Sequence, residues 1–586
     1  MRRMQTARRT EHRGSHAAVG AGPLGRRRWR GLVLAALVAG AAAGVSAQDV
    51  SFERLRTAAE TPADWLTYSG AYFSQRHSAL DQVTPANVRD LQLQWVYQTP
   101  VFGPWQATPL VVDGVMYLTQ RPNDVVALDA RTGRVFWVYS YATPPDHRAC
   151  CGSNNRGVAI LGDRVFMATL DAHVVALDAA TGAELWDVEL ADRHLAYSFT
   201  LAPLVVNDKV IVGSAGGDRG IRGFITALDA ATGEEVWRFH TIPGPGEPGH
   251  ETWEACPPDP ETYCDPEAWM HGGAAAWLTG SYDPELNLMY WGLGNPGPDF
   301  NRHQRPGDNL YSDSVVALDA DTGELRWHFQ FTPNDPYDYD AVQIPVLADI
   351  ERNGVTLKAM LWANRNGFYY VLDRTTGRFL TGRPFVTVNW AEGLDDNGRP
   401  VETPQPPGAP TYPGVQGGTN WYSPSYSPRT EMMYVPAWES YASVFDAQPQ
   451  EYAPGRPFVG GRPRTAEPVP DAPTVPGLTR GPVNTWTAAA GSGAVVALDA
   501  LTGEQRWKFE MTDVTSSGIL TTAADLLFTG ARSGYFQALD ARTGDLLWRV
   551  SLGGQIVNGP MTYAVDGRQY VAVIAGSSLS TFALRD

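Results

Sequence analysis

Residues 127–137, ALDARTGRVFW, decide the fold, because their pattern Ala-x-Asp-x-x-Thr-Gly-x-x-x-Trp returns along the chain. A degenerate copy, Asp373 to Gly377, ends at Leu380 instead of a tryptophan. Each copy follows an alternating apolar stretch typical of a β-strand and leads into another. The further complete copies begin at Ala176, Ala227, Ala317, Ala497 and Ala538.

The repeat predicts an all-β, eight-bladed β-propeller over residues 48–586. The Asp and the Thr-Gly pair are turn formers, and we expect the tryptophan to pack between neighbouring units. Most neighbouring copies lie 41 to 53 residues apart, the length of a four-stranded blade. The seven copies and a strand pair around Met432–Pro436 make eight blades, closed by joining the two chain ends.

The N-terminus resembles a secretory signal peptide over residues 1–47. Nine arginines precede an apolar stretch from Gly31 to Val45, and the small residues Val45-Ser46-Ala47 form a cleavage signature. The apolar stretch is short for a membrane span, although an uncleaved anchor is the alternative. We therefore expect a periplasmic or secreted protein with no transmembrane domain after cleavage.

The charge limits the partners. Removing residues 1–47, with nine arginines and Glu11, changes the formal net charge from −17 to −25. Such a protein repels nucleic acid and anionic membranes and could attract a basic partner. A homodimer is compatible with this composition, which does not decide the oligomeric state.

The chain has four cysteines, two of them adjacent: Cys150 and Cys151. Neighbouring Cα atoms lie about 3.8 Å apart, below the usual disulfide range. The pair is therefore either two free thiols, two halves of separate bridges, or a strained ring that forms a flat lid over a planar ligand. Cys256 and Cys264 are expected to form a local bridge, with free thiols as the alternative.

Together with these cysteines, several motifs resemble those of the pyrroloquinoline-quinone (PQQ) dependent alcohol dehydrogenases of the methanol/ethanol type. The resemblance runs from Asp64-Trp65-Leu66-Thr67-Tyr68 to Gln569-Tyr570-Val571-Ala572-Val573, essentially the whole mature chain. It implies PQQ as cofactor, with the adjacent cysteines as a ring disulfide over one face of the quinone and Trp277 over the other. The remaining cofactor-binding residues it implies are Gln106, Arg156, Thr200, Gly216, Gly217, Arg365 and Asn420.

The resemblance also implies one metal ion, bound by Asp218, Asn295, Asp338 and Asp340. Asp340 stands where calcium-dependent members usually have Ala, Ser or Thr and lanthanide-dependent members have Asp. An additional carboxylate favours a trivalent ion over Ca²⁺. We therefore expect a lanthanide(III), with Ca²⁺ as the alternative if Asp340 is only a solvated loop residue.

In the implied reaction, Asp338 takes the hydroxyl proton of an alcohol as general base, and Arg365 stabilises developing negative charge. Ser516 and the segment 575–579 replace bulky family residues around the substrate, which indicates an alcohol larger than methanol. No Cys-x-x-Cys-His occurs, so we expect a separate periplasmic cytochrome c as electron acceptor.

Two other functions remain open at this level. One is a PQQ sugar or aldehyde dehydrogenase with a different pocket. The other is a non-catalytic propeller scaffold of the outer-membrane assembly type, which shares the tryptophan repeat but has no need for Cys150, Asn295 or Asp338.

Overall fold

The computed structural model describes residues 49–253, 264–465, 490–511 and 513–585. Eight antiparallel sheets form the blades of a propeller, which confirms the predicted fold. The predicted signal peptide and Cys256 lie outside the described residues, so the cleavage site and the Cys256–Cys264 bridge stay predictions.

The blades are numbered here in chain order, and each strand is given from the axis outward. Blades 1 and 2 contain Leu110–Val112, Val115–Gln120, Asp124–Asp129 and Val135–Tyr139, then Ala159–Leu161, Arg164–Ala168, His173–Asp178 and Glu184–Glu189. Blades 3 and 4 contain Leu204–Val206, Lys209–Gly213, Phe224–Asp229 and Glu235–His240, then Ser281–Asp283, Leu288–Gly292, Ser314–Asp319 and Leu325–Gln330. Blades 5 and 6 contain Val346–Arg352, Val355–Ala363, Phe368–Asp373 and Phe379–Pro384, then Ser425–Ser427, Met432–Tyr441, Ala490–Asp499 and Gln505–Glu510. Blades 7 and 8 contain Ile519–Thr522, Leu526–Gly530, Tyr535–Asp540 and Leu546–Ser551, then Met561–Val565, Arg568–Ala575, Ser578–Leu584 and Leu91–Gln98.

The ring closes in blade 8, as the repeat predicts. Its outer strand, Leu91–Gln98, comes from the N-terminal part of the chain and pairs antiparallel with Ser578–Leu584. Because this sheet combines strands from both parts of the chain, its hydrogen bonds tie the last blade to the first.

The remaining elements are short. The strand His77–Ser78 adds to blade 7, and two hairpins join Ala391–Leu394 to Pro400–Glu402 and Ser443–Ala447 to Gly461–Thr465. The helices are α-helix Phe52–Arg56 and the 3₁₀ turns Ala58–Glu60, Val88–Asp90, Arg193–Leu195, Gly217–Arg219, His250–Trp253, Ala268–His271 and Arg302–Gln304. No helix in the described part of the chain has the length and hydropathy to cross a membrane.

The repeat tryptophans join neighbouring blades. The indole of Trp137 in blade 1 packs on Gly182 of blade 2, and its N–H donates to the carbonyl of Ala179 at 3.1 Å. Gly182 has φ 73°, and a Cβ there would lie 2.5 Å from the indole, so both the turn and the packing require glycine. Equivalent tryptophan–glycine pairs are Trp95 with Gly133, Trp186 with Gly233, Trp237 with Gly323, Trp327 with Gly377 and Trp507 with Gly544.

Blade 5 lacks this tryptophan, and a tyrosine replaces it. The Tyr369 hydroxyl donates to the carbonyl of Ala500 in blade 6 at 2.7 Å, and its ring packs on Gly503. By strand register, the tryptophan position of this blade is Thr381, which pairs with Val371 as Trp137 pairs with Ala127, and not Leu380 as stated from the repeat. Blade 5 is therefore present and docks by a different side chain.

Candidate active site

The connections between blades, and those between the second and third strands within blades, leave the sheets at the same end. They surround a cavity of about 720 Å³. Every site residue predicted from the sequence lines this cavity except Arg365. The lining members of that set are Gln106, Cys150, Cys151, Arg156, Thr200, Gly216, Gly217, Asp218, Trp277, Asn295, Asp338, Asp340 and Asn420.

Cys150 and Cys151 form a disulfide in the connection from blade 1 to blade 2. Both line the cavity, and the Asn154 side chain donates to the Cys151 carbonyl at 2.9 Å. The carboxylate of Asp218 lies within 4.8 Å of both sulfur atoms. The ring of the adjacent cysteines therefore covers the cavity close to the residues predicted to bind the ion.

Trp277 and Arg156 lie together at the cavity. The Arg156 guanidinium is 5.0 Å from the centre of the Trp277 ring and 4.9 Å from that of Trp421. It donates to the Thr200 carbonyl at 3.0 Å, and the Thr200 hydroxyl donates to the Trp277 carbonyl at 3.1 Å. This arrangement places a buried planar cation between two aromatic faces, which suits a flat anionic ligand.

Asp218 stands on a glycine turn that brings the backbone close to the cavity. Gly216 has φ 123°, and a Cβ there would lie 2.3 Å from the carbonyl oxygen of Ala196. Only glycine fits, and the following 3₁₀ turn, Gly217–Arg219, presents Asp218.

The acidic wall consists of Asp218, Asn295, Asp338 and Asp340, from blade 3 to the entry of blade 5. The Asn295 backbone N–H donates to Asp340 Oδ1 at 2.9 Å, which fixes the two segments relative to each other. The side chains are hard oxygen donors, as Ca²⁺ and lanthanide ions prefer. Among the described residues, the oxygens of Asp218, Asp338 and Asp340 form no set of three with mutual distances within 4.8 Å.

Arg365 lies behind this wall, with only 1% of its side chain exposed. Its guanidinium contacts Asp338 Oδ2 at 2.9 Å, also pairs with Asp340 Oδ2, and donates to the Val415 carbonyl at 2.6 Å. Burial disfavours the charged guanidinium, but the two carboxylates outweigh it and raise the pKa of Arg365. Arg365 therefore keeps Asp338 beside a permanent positive charge, which favours the ionised, proton-accepting carboxylate.

Sequence reasoning missed several residues of the site. Burial and the neighbouring carboxylates of Asp218 and Asp338 raise the pKa of Asp299 well above its usual range. Asp299 follows Asn295-Pro-Gly-Pro, but no spacing rule marked it. Other unpredicted residues line the cavity, among them Arg121, Gln416, Trp421, Trp438 and Arg532.

The residues present fit PQQ and a hard cation. The Oε1 atom of Gln106 is buried at the cavity and has no hydrogen-bond partner among the described residues. Arg156 supplies a cation for a carboxylate, and the disulfide and Trp277 supply apolar and aromatic surface for a planar ring.

Comparison with known proteins identifies the family. A model of a PQQ protein family, described as "Glucose/ethanol/alcohol dehydrogenase, beta-propeller domain", matches residues 65–388. A second model, "Outer membrane protein assembly factor BamB", matches residues 491–586, a segment that holds the last two tryptophan repeats.

Curated relatives and solved structures agree with the first match. Quinoprotein alcohol dehydrogenase PedH of Pseudomonas putida is 38% identical over 575 residues, covering 93% of this chain and 91% of the relative. Quinohemoprotein alcohol dehydrogenase ADH IIB of Pseudomonas putida is 38% identical over 559 residues, covering 93% and 77%. A structure of a europium-containing methanol dehydrogenase superposes with a TM-score of 0.80 at 32% identity, covering 91% of this chain and all of the other. The chain is therefore an oxidoreductase that belongs to the family of PQQ-dependent quinoprotein alcohol dehydrogenases.

Proposed function

We propose that this protein is a periplasmic or secreted, metal-dependent alcohol dehydrogenase that oxidises alcohols larger than methanol and passes electrons to a separate cytochrome c. The observation that carries the proposal is the convergence of the Cys150–Cys151 disulfide, Trp277 with Arg156, and Asp338 with Asp340 on one cavity. These residues come from three separate connections between blades and share no purpose in a scaffold.

PQQ, when bound, would supply a two-electron acceptor, and an ion held by Asp218, Asn295, Asp338 and Asp340 would supply a Lewis acid. The chain's own residues then orient and deprotonate the substrate. Asp338 accepts the hydroxyl proton of the alcohol, and the adjacent Arg365 holds that carboxylate ionised beforehand. The disulfide and Trp277, which both line the cavity, would exclude water from a planar cofactor bound there.

Ser516 supports a substrate larger than methanol. It lines the cavity at the entry to blade 7, where a tryptophan in the resembling family would fill space. A panel of alcohols, sugars and aldehydes, assayed with a dye acceptor on protein loaded with PQQ and metal, tests this. Longer alcohols should give the highest kcat/KM; a preference for methanol, a sugar or an aldehyde would overturn it.

A lanthanide(III) is the favoured ion, with Ca²⁺ as the alternative. Support comes from Asp340, which adds a carboxylate beside Asn295, and from the structural likeness to a europium-containing enzyme. The test compares La³⁺ and Ca²⁺ loading of the wild type and Asp340→Ala, with Tb³⁺ luminescence sensitised by the nearby tryptophans as a readout independent of turnover. The substitution should weaken Tb³⁺ binding and abolish La³⁺-dependent activity. Full activity with Ca²⁺ alone, unaffected by the substitution, would contradict the lanthanide assignment.

The separate acceptor is supported by the sequence. ADH IIB is named a quinohemoprotein, whereas these 586 residues contain no Cys-x-x-Cys-His. Mixing the reduced enzyme with a basic cytochrome c should reduce the haem at a rate that falls with ionic strength, because the partner charges are opposite. No haem reduction by any soluble cytochrome c would remove this part of the proposal.

A further inference from the structure

A second wall of the cavity, from blades 7 and 8, differs from the acidic wall in charge and side-chain size. Ser516 precedes blade 7, Arg532 joins its second and third strands, and Gln555 and Val557 precede blade 8. In a ring of eight blades, these blades lie across the axis from blades 3 and 4, which carry Asp218 and Asn295. We call these four residues the open wall.

Arg532 is the one charged residue of the open wall, and few neighbouring groups of the protein compensate its positive charge. Only 11% of its side chain is exposed, and its nearest carboxylate is Asp513 Oδ2 at 4.0 Å. Its guanidinium donates no hydrogen bond to the described residues, although it lines the cavity. A largely buried cation without close partners costs free energy, and a bound anion would offset that cost.

Buried arginines elsewhere in the fold have close protein partners, although single guanidinium nitrogens of Arg365 and Arg374 are left without a hydrogen bond. Arg76 donates to three backbone carbonyls, and Arg374 pairs with Asp283 at 2.7 Å. Arg532 therefore differs from Arg76 and Arg374 in that its guanidinium lines the cavity and donates to no described residue.

Other residues that line the same cavity indicate what the anion is attached to. Trp438 and Tyr422 line the same cavity and stack with ring centres 6.4 Å apart. Val557 adds aliphatic surface, and Ser516 leaves room beside it. An apolar chain lying along these residues would place a terminal carboxylate at Arg532 while its other end reaches towards the catalytic side.

The geometry points to Arg532 as a specificity-determining residue that binds the carboxylate of an ω-hydroxycarboxylate substrate. This inference rests on the proposed alcohol oxidation and names its substrate class. A guanidinium binds a carboxylate through two parallel N–H donors, so the contact selects charge and direction together.

The experiment uses protein loaded with PQQ and metal, and ω-hydroxycarboxylates of increasing chain length with their primary amides. Each amide matches its acid in size and lacks only the charge. We compare the wild type with Arg532→Met, with Arg532→Lys, and with Arg549→Met, which removes an arginine from the outer strand of the same blade. Calorimetry with the corresponding carboxylates that lack the hydroxyl measures anion binding without turnover.

The wild type should favour the best acid over its amide in kcat/KM by about tenfold or more, the range of a hydrogen bond to a charged group. Arg532→Met should remove that preference by raising KM for the acid, with kcat for the amide and PQQ affinity unchanged. Arg532→Lys should restore part of it, and Arg549→Met should behave as the wild type. Carboxylate binding should weaken by a similar factor in Arg532→Met.

Two outcomes would overturn the inference. The wild type could oxidise neutral alcohols without preferring acids, which leaves the proposed alcohol oxidation standing. Arg532→Met could lose PQQ, which would make Arg532 a cofactor-binding residue. Failure with every alcohol, neutral or charged, would instead refute the proposed function itself, and carboxylate calorimetry would still report whether Arg532 binds the anion.

Discussion

The contacts that join neighbouring blades, called the docking ring below, differ from the central cavity in how the sequence encodes them. In the ring, a tryptophan packs on a glycine at six of the eight junctions between blades. Tyr369 replaces it between blades 5 and 6, and Trp548 packs on Phe582 between blades 7 and 8. In the cavity, each residue occurs once and each connection contributes a different side chain. A fault in the ring should therefore cost stability and spare chemistry, whereas a fault in the cavity should do the reverse.

The largest effect is expected from Asp338→Ala in the cavity. The substitution removes the proton-accepting carboxylate beside Arg365. Loss of a general base costs about 10²- to 10⁴-fold in rate. We expect kcat to fall by that factor with PQQ retained, as read from absorbance of the bound cofactor after gel filtration.

Asp321→Ala is the control for this substitution, because Asp321 is an exposed aspartate in the outer turn of blade 4. Its turnover should equal that of the wild type. Near-normal turnover of Asp338→Ala itself would remove Asp338 from the role of base.

The next largest effect is expected from a substitution in the docking ring, which should lower the free energy of unfolding and leave kcat unchanged. Trp137→Ala removes the indole that packs on Gly182 and the hydrogen bond to Ala179. A large aromatic lost from a packed contact costs about 3 kcal/mol. Urea denaturation should show that loss in the free energy of unfolding, with kcat at 25 °C unchanged.

Phe102→Ala provides the comparison, because its ring is 80% exposed. Its free energy of unfolding should stay within about 0.5 kcal/mol of the wild type. Equal losses in the two variants would show that the tryptophan contact contributes no more than an exposed ring.

The contrast also explains what the sequence could predict. The docking ring can be predicted because each Asp-Thr-Gly turn lies close in sequence to its tryptophan. The pattern is therefore local, and it repeats along the chain. The site residues with local motifs, such as Cys150 and Asn295, were predicted and line the cavity.

Residues defined only by long-range packing were not predictable. Tyr369 donates to Ala500 across 131 positions, and nothing near Thr381, the tryptophan position of blade 5, indicates this contact. The surroundings of Arg532 and Asp299 are formed by segments that are distant in sequence and meet only in the closed, folded propeller. No local motif therefore marks either residue. Arg365 was expected at the cavity surface, but its contacts with two carboxylates place it behind them.

A pH effect on the fold should be smaller. Burial lowers the pKa of His77 from 6.5 to about 4 in the strand that adds to blade 7. The unfolded chain then binds more protons than the folded one between these values, so stability falls as the pH falls from 6.5 towards 4. Between pH 6.5 and 5, this group alone should lower the free energy of unfolding by about 1.5 kcal/mol.

His77→Gln should flatten this part of the pH–stability curve, measured by urea denaturation across that interval. His303→Gln removes an exposed histidine and should leave the slope as it is. An unchanged slope in His77→Gln would show that other groups carry the acid sensitivity.

The smallest effect tests whether the tyrosine of blade 5 does the work of the missing tryptophan. Tyr369→Phe keeps the ring on Gly503 and removes only the hydroxyl that donates to the Ala500 carbonyl. A buried hydrogen bond of this kind contributes about 1 kcal/mol, and the abandoned carbonyl adds to the loss. Urea denaturation should therefore show a decrease of about 1 to 2 kcal/mol, less than in Trp137→Ala because the ring contact remains.

Tyr535→Phe removes a hydroxyl from an exposed tyrosine and should be neutral. If Tyr369→Phe were neutral as well, the blade 5–6 contact would depend on ring packing alone, and the hydroxyl would not be the counterpart of the indole N–H.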